Sequence, residues 1–456
     1  MTAWRCLRKA KRTILQSLVL NPTLRVAPTA RTAHRTRGPG RPRVLHLAYE
    51  DHAMPGAAGG AARTRQINER LADRFDITEV CARYRGARTR KENGIRYRFI
   101  GIPFGRSGTE STPKGVQRYI PVLSYFFCLP FALFRYRSDI VVEDFTAPFA
   151  SIGAPFMTRR PVVGVAQWLW AQEIASRYRP IFCWVENLGL SSHRELIAPS
   201  AGLADELLHR NPRARVHVVG SGVDQSPDKS GPSAPGPSSR SDMLFLGRLD
   251  YRPKGLDLLL DAYATIAPRV EENLLIAGDG PDRHRLQRHC SRLGVSERVK
   301  FLGWIPRTER MSLLAHAEFV VMPSRYETFG MVAAEALSVS TPVIAFDIPC
   351  LRELVTADNG LLVHEFKADD LAAAMLTLAT DPPLRRRLGS RGPQAVALLS
   401  WDRLARQQGD IYAAALQRYR RRRERGHHGQ RIHRGPWQPR QILRYPFSAF
   451  RHSSRT

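Results

Sequence analysis

The sequence predicts an α/β protein made of two doubly wound parallel sheets, and three observations carry that expectation. From Val44 onward, short apolar runs alternate with amphipathic stretches, the pattern of strand–helix repeats that feed a parallel sheet. A Ser/Pro/Gly-rich segment at 225–241, QSPDKSGPSAPGPSSRS, interrupts the pattern with nothing to bury, as a linker does. The alternation then restarts at Met243. Two Rossmann-like units joined by one linker leave a cleft, and ligands of such sheets bind beyond the carboxyl ends of the strands.

The elements follow in order. Residues 1–42 are Arg-, Thr- and Pro-rich without the period of a packed element, so a basic disordered extension is expected there. Being acid-free, the extension resembles an organelle transit peptide as closely as it does a lengthened N-terminus. VLHLAY (44–49) is an apolar strand, followed by a Gly/Ala loop and a helix from about 61 to 72. Strands are expected near 77–82, 139–143, 161–166 and 216–221, with helices at 117–135 and 202–210, closing a unit over 43–224. Beyond the linker, strands at 243–249, 273–278, 299–304, 319–324, 342–347 and 361–364 alternate with helices at 255–266, 282–293, 307–317, 330–339 and 367–379. SWDRLARQQGDIYAAALQRY ends this second unit, 242–419, and leaves a basic tail at 420–456.

Composition narrows the function. The 456 residues are 43% hydrophobic, enough for two cores. The net charge of +29 suggests a nucleic-acid binder until it is located. Residues 1–43 hold eleven Lys/Arg and no acid, and residues 418–456 hold twelve Arg against Glu424, so each end carries +11 and the 374 residues between them about +7. The basicity belongs to the ends rather than to a groove, which argues against specific nucleic-acid binding and leaves contact with an anionic membrane surface as the use for the tails. A solvated tail is the plainer reading. The six cysteines are scattered, with no Cys-x-x-Cys pair and no zinc spacing, so neither a disulfide framework nor a structural metal is expected. The longest uncharged run, YIPVLSYFFCLPFALF at 119–134, has 16 residues and two prolines, short of a membrane span. It is expected to be a core helix or, more sharply, an apolar acceptor wall or membrane contact. A cytoplasmic protein, peripheral at the inner face of the membrane at most, is the resulting expectation.

The chemistry concentrates in the second unit. Arg248 ends the strand MLFLGRL and Lys254 precedes Gly255, where a helix begins. Both cations then sit at the carboxyl edge of a sheet beside a helix N-terminus, a setting that favours a diphosphate. The bland alternative is two solvated cations. Further on comes PSRYETFGM (323–331) followed by Glu335-Ala336. A strand ending at about Ser324 and a helix opening near Gly330 would aim the N–H groups of Phe329, Gly330 and Met331 into the cleft. Glu327 lies before that helix and Glu335 within it, at most ~12 Å apart at helical rise. Their plainer roles are a capping acid and a solvated helix residue, but in MVAAEALSV an unpaired buried carboxylate would be costly.

These residues resemble the family four retaining glycosyltransferases, of GT-B fold. The matching pieces are GRLDYRPKG, LLIAGDGP, VKFLGWIP, VVMPSRYETFGMVAAEALSVSTPVIA and GLLV, together covering roughly 243–417. The resemblance makes the second unit the donor domain and the first the acceptor domain. It implies that Arg248 and Lys254 grip the donor diphosphate, that Glu327 contacts the donor sugar and Glu335 the ribose, and that the backbone at 329–331 touches phosphate and sugar oxygens. In the first unit, Gly59 and Gly60 end the loop PGAAGG, where missing side chains let a phosphate approach. Gly222-Val223-Asp224 resembles the family's end-of-domain signature, with Ser221 for the usual Asn. At 161–168, PVVGVAQW, many relatives carry a His after the strand; Gln167 stands there instead, a group that cannot become a cation. His46 on the first strand reads as a satisfied core residue, and His52 in the next loop as an acceptor contact.

No Asp-x-Asp occurs, so no metal–diphosphate clamp, metal or cofactor is expected; the two cations would replace it. The lack of a strand-borne G-x-G-x-x-G and of a Walker loop argues against NAD and ATP enzymes. The function implied is transfer of a sugar from a nucleoside-diphosphate sugar to an acceptor hydroxyl on a lipid-linked saccharide, polysaccharide or specialised metabolite. The competing reading is a non-catalytic nucleotide-sugar or polyanion-binding module on the same scaffold.

Overall fold

A computed structural model describes residues 40–54, 57, 59–104, 120–145, 153–169, 180–223, 242–364 and 366–429. The expected N-terminal extension up to residue 39, the linker at 225–241 and the tail from 430 onward lie outside the described residues.

The first lobe contains β1 (Arg43–Leu47), α1 (Gly59–Leu71), β2 (Asp76–Tyr84), β3 (Arg90–Glu92), β4 (Ile95–Phe104) and α2 (Ile120–Arg135). It continues with β5 (Ile140–Asp144), α3 (Ala154–Met157), β6 (Val162–Val165), α4 (Pro180–Ser192), β7 (Glu195–Ala198), α5 (Ala201–Arg210) and β8 (Arg215–Val218). The strand order is β3-β4-β2-β1-β5-β6-β7-β8, and every pairing is parallel except β3 with β4. The chain therefore runs outward from β1 in one direction and from β5 in the other, so the topological switch lies between them.

The second lobe contains β9 (Met243–Leu246), α6 (Leu256–Ile266), β10 (Leu274–Ala277), α7 (Arg283–Leu293), β11 (Val299–Gly303), α8 (Arg307–His316) and β12 (Phe319–Met322). Then follow α9 (Met331–Ser338), β13 (Val343–Phe346), α10 (Pro349–Arg352), β14 (Gly360–Val363), α11 (Ala368–Thr380), α12 (Pro382–Val396) and α13 (Trp401–Gly429). Its sheet is wholly parallel, in the order β11-β10-β9-β12-β13-β14. Here the switch lies between β9 and β12, so the loops after those two strands flank the crevice where α/β sheets take their ligands.

Side chains alternate across both sheets, as the pleat requires. In the first lobe Val44, Ile77, Ile140, Val163 and Ile197 face α1 and α13, whereas Leu45, Val80, Val141 and Val162 face α2 and α3. Leu196 and Ala198 carry that second face on under α4 and α5.

Several expectations change. The hairpin β3–β4, α4, and α12 with its internal Pro393 were not foreseen. Nor does the closing helix belong to the second lobe. Trp401, Leu404, Tyr412, Ala415 and Leu416 of α13 pack into the core with Val44, Ile67 and Leu71, so the chain returns to the lobe in which it began. The helix also continues past 419 to Gly429, which removes the expected boundary with the tail. The uncharged run forms a helix, as read, but only one of its faces is core. Among the described residues no helix is long and apolar enough to cross a membrane.

Candidate functional site

The loops after β9 and β12 are built together. Arg325 N donates to Pro253 O at 3.0 Å, and its guanidinium reaches Arg252 O and Asp257 at 2.7 Å each. Gly255 caps α6 with φ +66°, and a Cβ there would fall on Pro323 O, so only glycine lets the loops approach this closely. Gly330 plays the same part at the start of α9, with φ +93° and no room for a Cβ beside Leu351.

This framework brings Lys254 and Glu327 together. The ammonium donates to Glu327 Oε1 at 2.5 Å, and the buried Ser324 hydroxyl donates to the same oxygen at 3.0 Å. Arg248 stays on the loop, largely exposed, with Asp250 as its partner at 2.5 Å. Each of the two foreseen cations thus already holds a carboxylate. Glu335 is neither solvated nor unpaired, for Arg310 of α8 donates to both of its oxygens, at 3.2 and 3.4 Å. Asp250, Ser324 and Arg310 escaped the sequence reading: in a chain with 62 Arg, one more on an amphipathic helix gives no signal.

From the first lobe, α1 points its N-terminus at the same place. Gly59 and Gly60 are the first residues of the helix rather than the end of the loop. A Cβ on Gly59 would lie 3.1 Å from Met331 Sδ, so the side chain that opens α9 reaches the first residue of α1. The first N–H groups of a helix have no partner within it, and its N-terminus is the positive end of its dipole. Phe329 is buried, with its ring against Gly220 of the first lobe.

Gln167 follows β6 and lies against Gly60. Its amide orientation is set by a chain of donors running into the core. His46 and Asp144 pair at 2.9 Å; burial opposes charge on the ring, but the carboxylate outweighs it and raises the His46 pKa. Asp144 is itself held below the usual carboxylate range, because the imidazole, Thr64 and Arg63 overcome the cost of burial. As a carboxylate it only accepts, so the Thr64 hydroxyl donates to it, at 2.6 Å. Thr64 Oγ1 must then accept from Gln167 Nε2, at 2.9 Å. What remains is Gln167 Oε1, buried, without a partner among the described residues, and beside the helix N-terminus. On the far side of His46, Asn68 links the ring to Glu79, whose burial lifts its pKa to about 7. His46 is the satisfied core residue expected.

His52 does not face the cleft mouth. Its ring lies between Asp51 and Glu92, at 3.3 and 3.5 Å, and meets Tyr97 of the unforeseen hairpin edge-on. Burial and Arg65 lower its pKa. The acceptor-contact expectation for His52 is corrected accordingly, because the carboxylates of β3 and its own loop turn the ring toward the sheet edge.

Comparison with known proteins agrees with this geometry. Residues 232–395 match the profile of glycosyl transferases group 1, and residues 57–226 that of glycosyltransferase family 4. The chain is 30% identical to the alpha-maltose-1-phosphate synthase of Mycolicibacterium smegmatis over 53% of this chain and 68% of that one. It is 35% identical to a D-inositol 3-phosphate glycosyltransferase of Streptomyces bingchenggensis over 40% of this chain and 42% of that one. The chain spans about half the length of the first curated relatives it matches. Among solved structures, HepE of Anabaena in complex with UDP and glucose superposes with TM-score 0.63 at 19% identity, covering 82% of this chain and all of that one. Two doubly wound sheets, with both profiles in sequence order, place the chain in the group 1 glycosyltransferases of family 4, with the GT-B fold.

Proposed function

We propose that the protein transfers a sugar from a nucleoside-diphosphate sugar to an acceptor hydroxyl, with retention at the anomeric carbon and without a metal ion. The observation that carries this is the contact of the first residue of α1 with Met331, which opens α9 four residues after the Glu327 that Lys254 holds. A diphosphate held there finds backbone donors from both lobes and displaces Glu327 and Asp250 as the partners of Lys254 and Arg248. Glu327, released from Lys254, then accepts from hydroxyls of the donor sugar, and Glu335 with Arg310 faces the ribose. Gln167 Oε1 accepts from a hydroxyl of the transferred sugar or of the acceptor.

In the step itself the bond from the anomeric carbon to the diphosphate oxygen breaks, and the acceptor oxygen bonds on the same face. The acceptor proton passes to the departing diphosphate, so stabilising that leaving group is the main work of the protein. UDP in the HepE complex makes a uridine donor the first to try.

A thermal-shift screen of UDP, GDP, ADP, TDP and CDP tests the site. One nucleotide at a hundredfold excess over its Kd should stabilise the protein by about 2.7 kcal/mol. That shift should vanish in Glu335→Ala. Absence of any stabilising nucleotide, with the protein folded, would replace this proposal by the non-catalytic binding module. Proton NMR of the product then reads the anomeric configuration.

A further inference from the structure

We propose that the outer face of α2, with α3 and α4 beside it, is a docking surface for the headgroup region of an anionic lipid bilayer. This surface is separate from the donor site and its assignment does not depend on it.

The α2 helix buries Val122, Tyr125, Leu129, Ala132 and Leu133 against the sheet. A surface helix normally turns polar residues outward. This one turns out Ile120, Leu123, Phe127, Phe131 and Phe134, spaced as one helical stripe, with the three phenylalanines 82%, 65% and 86% exposed. Nothing among the described residues covers them.

The stripe is not isolated. Arg160, just past α3, donates to Leu133 O and Tyr136 O at the end of α2, and α3 in turn packs on α4. These helices lie on the same face of the sheet, and α3 and α4 add exposed Phe156, Met157 and Trp184. An exposed apolar patch of this extent marks an interaction surface rather than ordinary scatter.

Charge decides what covers it. The exposed charged residues of 120–137, 154–160 and 184–194 are Arg135, Arg137, Arg159 and Arg194, with no exposed acid; Glu186 is buried against Arg210. A second copy packed through the same face would set these four arginines against their own images. The chain's own termini, each carrying +11, meet the same repulsion. An anionic bilayer meets none: the phenylalanines enter the interface and the arginines stay at headgroup level. With 16 residues and no crossing length, α2 lies along the surface rather than through it.

The test is flotation of the full chain with phosphatidylcholine vesicles, with and without phosphatidylglycerol, at low and high salt. Binding through the basic termini alone fails at high salt, whereas inserted aromatic rings hold. Wild-type protein is expected to float with the anionic vesicles at both salt levels. F127S/F131S/F134S should lose at least ~10-fold in vesicle partition at high salt, with unchanged thermal stability and mass in solution. R135E/R137E/R159E should weaken partition onto phosphatidylglycerol vesicles while keeping its fold, the basic termini supplying the preference that remains at low salt. The proposal is overturned if wild type floats only at low salt, if the triple serine variant floats as well as wild type, or if that variant instead dissociates a dimer with lipid binding unaltered.

Discussion

Lys254 and Glu327 hold each other at 2.5 Å, and under the proposed function a donor diphosphate takes the ammonium from the carboxylate. Removing either partner therefore removes a charge-assisted contact to the transition state, worth about 2–4 kcal/mol. Lys254→Ala and Glu327→Ala are expected to lose at least ~100-fold in transfer while remaining folded, as judged by turnover beside a thermal melt. Near-wild-type turnover in either would remove that residue from the site. At Gln167 the test is indirect. Thr64→Val deletes the hydroxyl that fixes the amide, so Gln167 can turn its NH2 outward. A drop of about tenfold in kcat/KM is expected, the value of one hydrogen bond, with nucleotide affinity unchanged. Beneath it, Glu79 titrates near 7 because burial disfavours its charge. Above the unfolded value of about 4.5 the unfolded chain has already given up that proton, so wild type loses stability as pH rises toward 7. Glu79→Gln has no such loss. Its melting temperature relative to wild type should climb between pH 5 and 8, by the equivalent of up to about 3 kcal/mol, and a flat difference would contradict the buried-carboxyl account.

At the scale of elements, the loops around β9 and β12 depend on one backbone approach. Gly255→Ala puts a methyl on Pro323 O and asks alanine for φ +66°. The loops must part, carrying Lys254 away from Glu327, so destabilisation of about 1–3 kcal/mol and loss of nucleotide binding are expected together in a calorimetric titration. The same elements show what the sequence makes visible. Strands such as β9, β12 and β13 are buried on both faces and appear as unbroken apolar runs, which is why their ends at Arg248 and Glu327 could be located. The edge hairpin was not legible, because RYRFIGIPF alternates cations with apolar residues and lies beyond a turn at Asn93-Gly94. With it went the true setting of His52. In α12 the run PPLRRRLGSRGPQAV holds three prolines and three glycine or serine breaks, yet packing carries it as a helix. The donor chain from His46 to Gln167 joins α1, β1, β5 and the end of β6, and no local pattern announces four residues that meet only through the sheet order.

Across the whole molecule, the allegiance of α13 is the feature no window of sequence contains. Its apolar side fits either lobe by pattern, and the sheet with the uncovered face decides. A chain ended at residue 400 would strip Trp401, Tyr412 and Leu416 from the first lobe's core although the first sheet is otherwise complete. Such a protein is expected to lose its cooperative melt in the first lobe, with cleavage sites appearing in 43–223 under limited proteolysis. The lobes are also tied at a second place, where Glu353 accepts from Ala201 N and Gly202 N at 3.0 and 2.9 Å and caps α5 from across the boundary.

Val223 and Ser400 form a parallel bridge where the chain leaves the first lobe and where it comes back. Outbound and homebound strands thus share one crossing, and the molecule is threaded like a clasp rather than strung like two beads. One cut in 225–241 would leave two fragments that elute as a single particle, because α13 belongs to one fragment by covalent bond and to the other by burial.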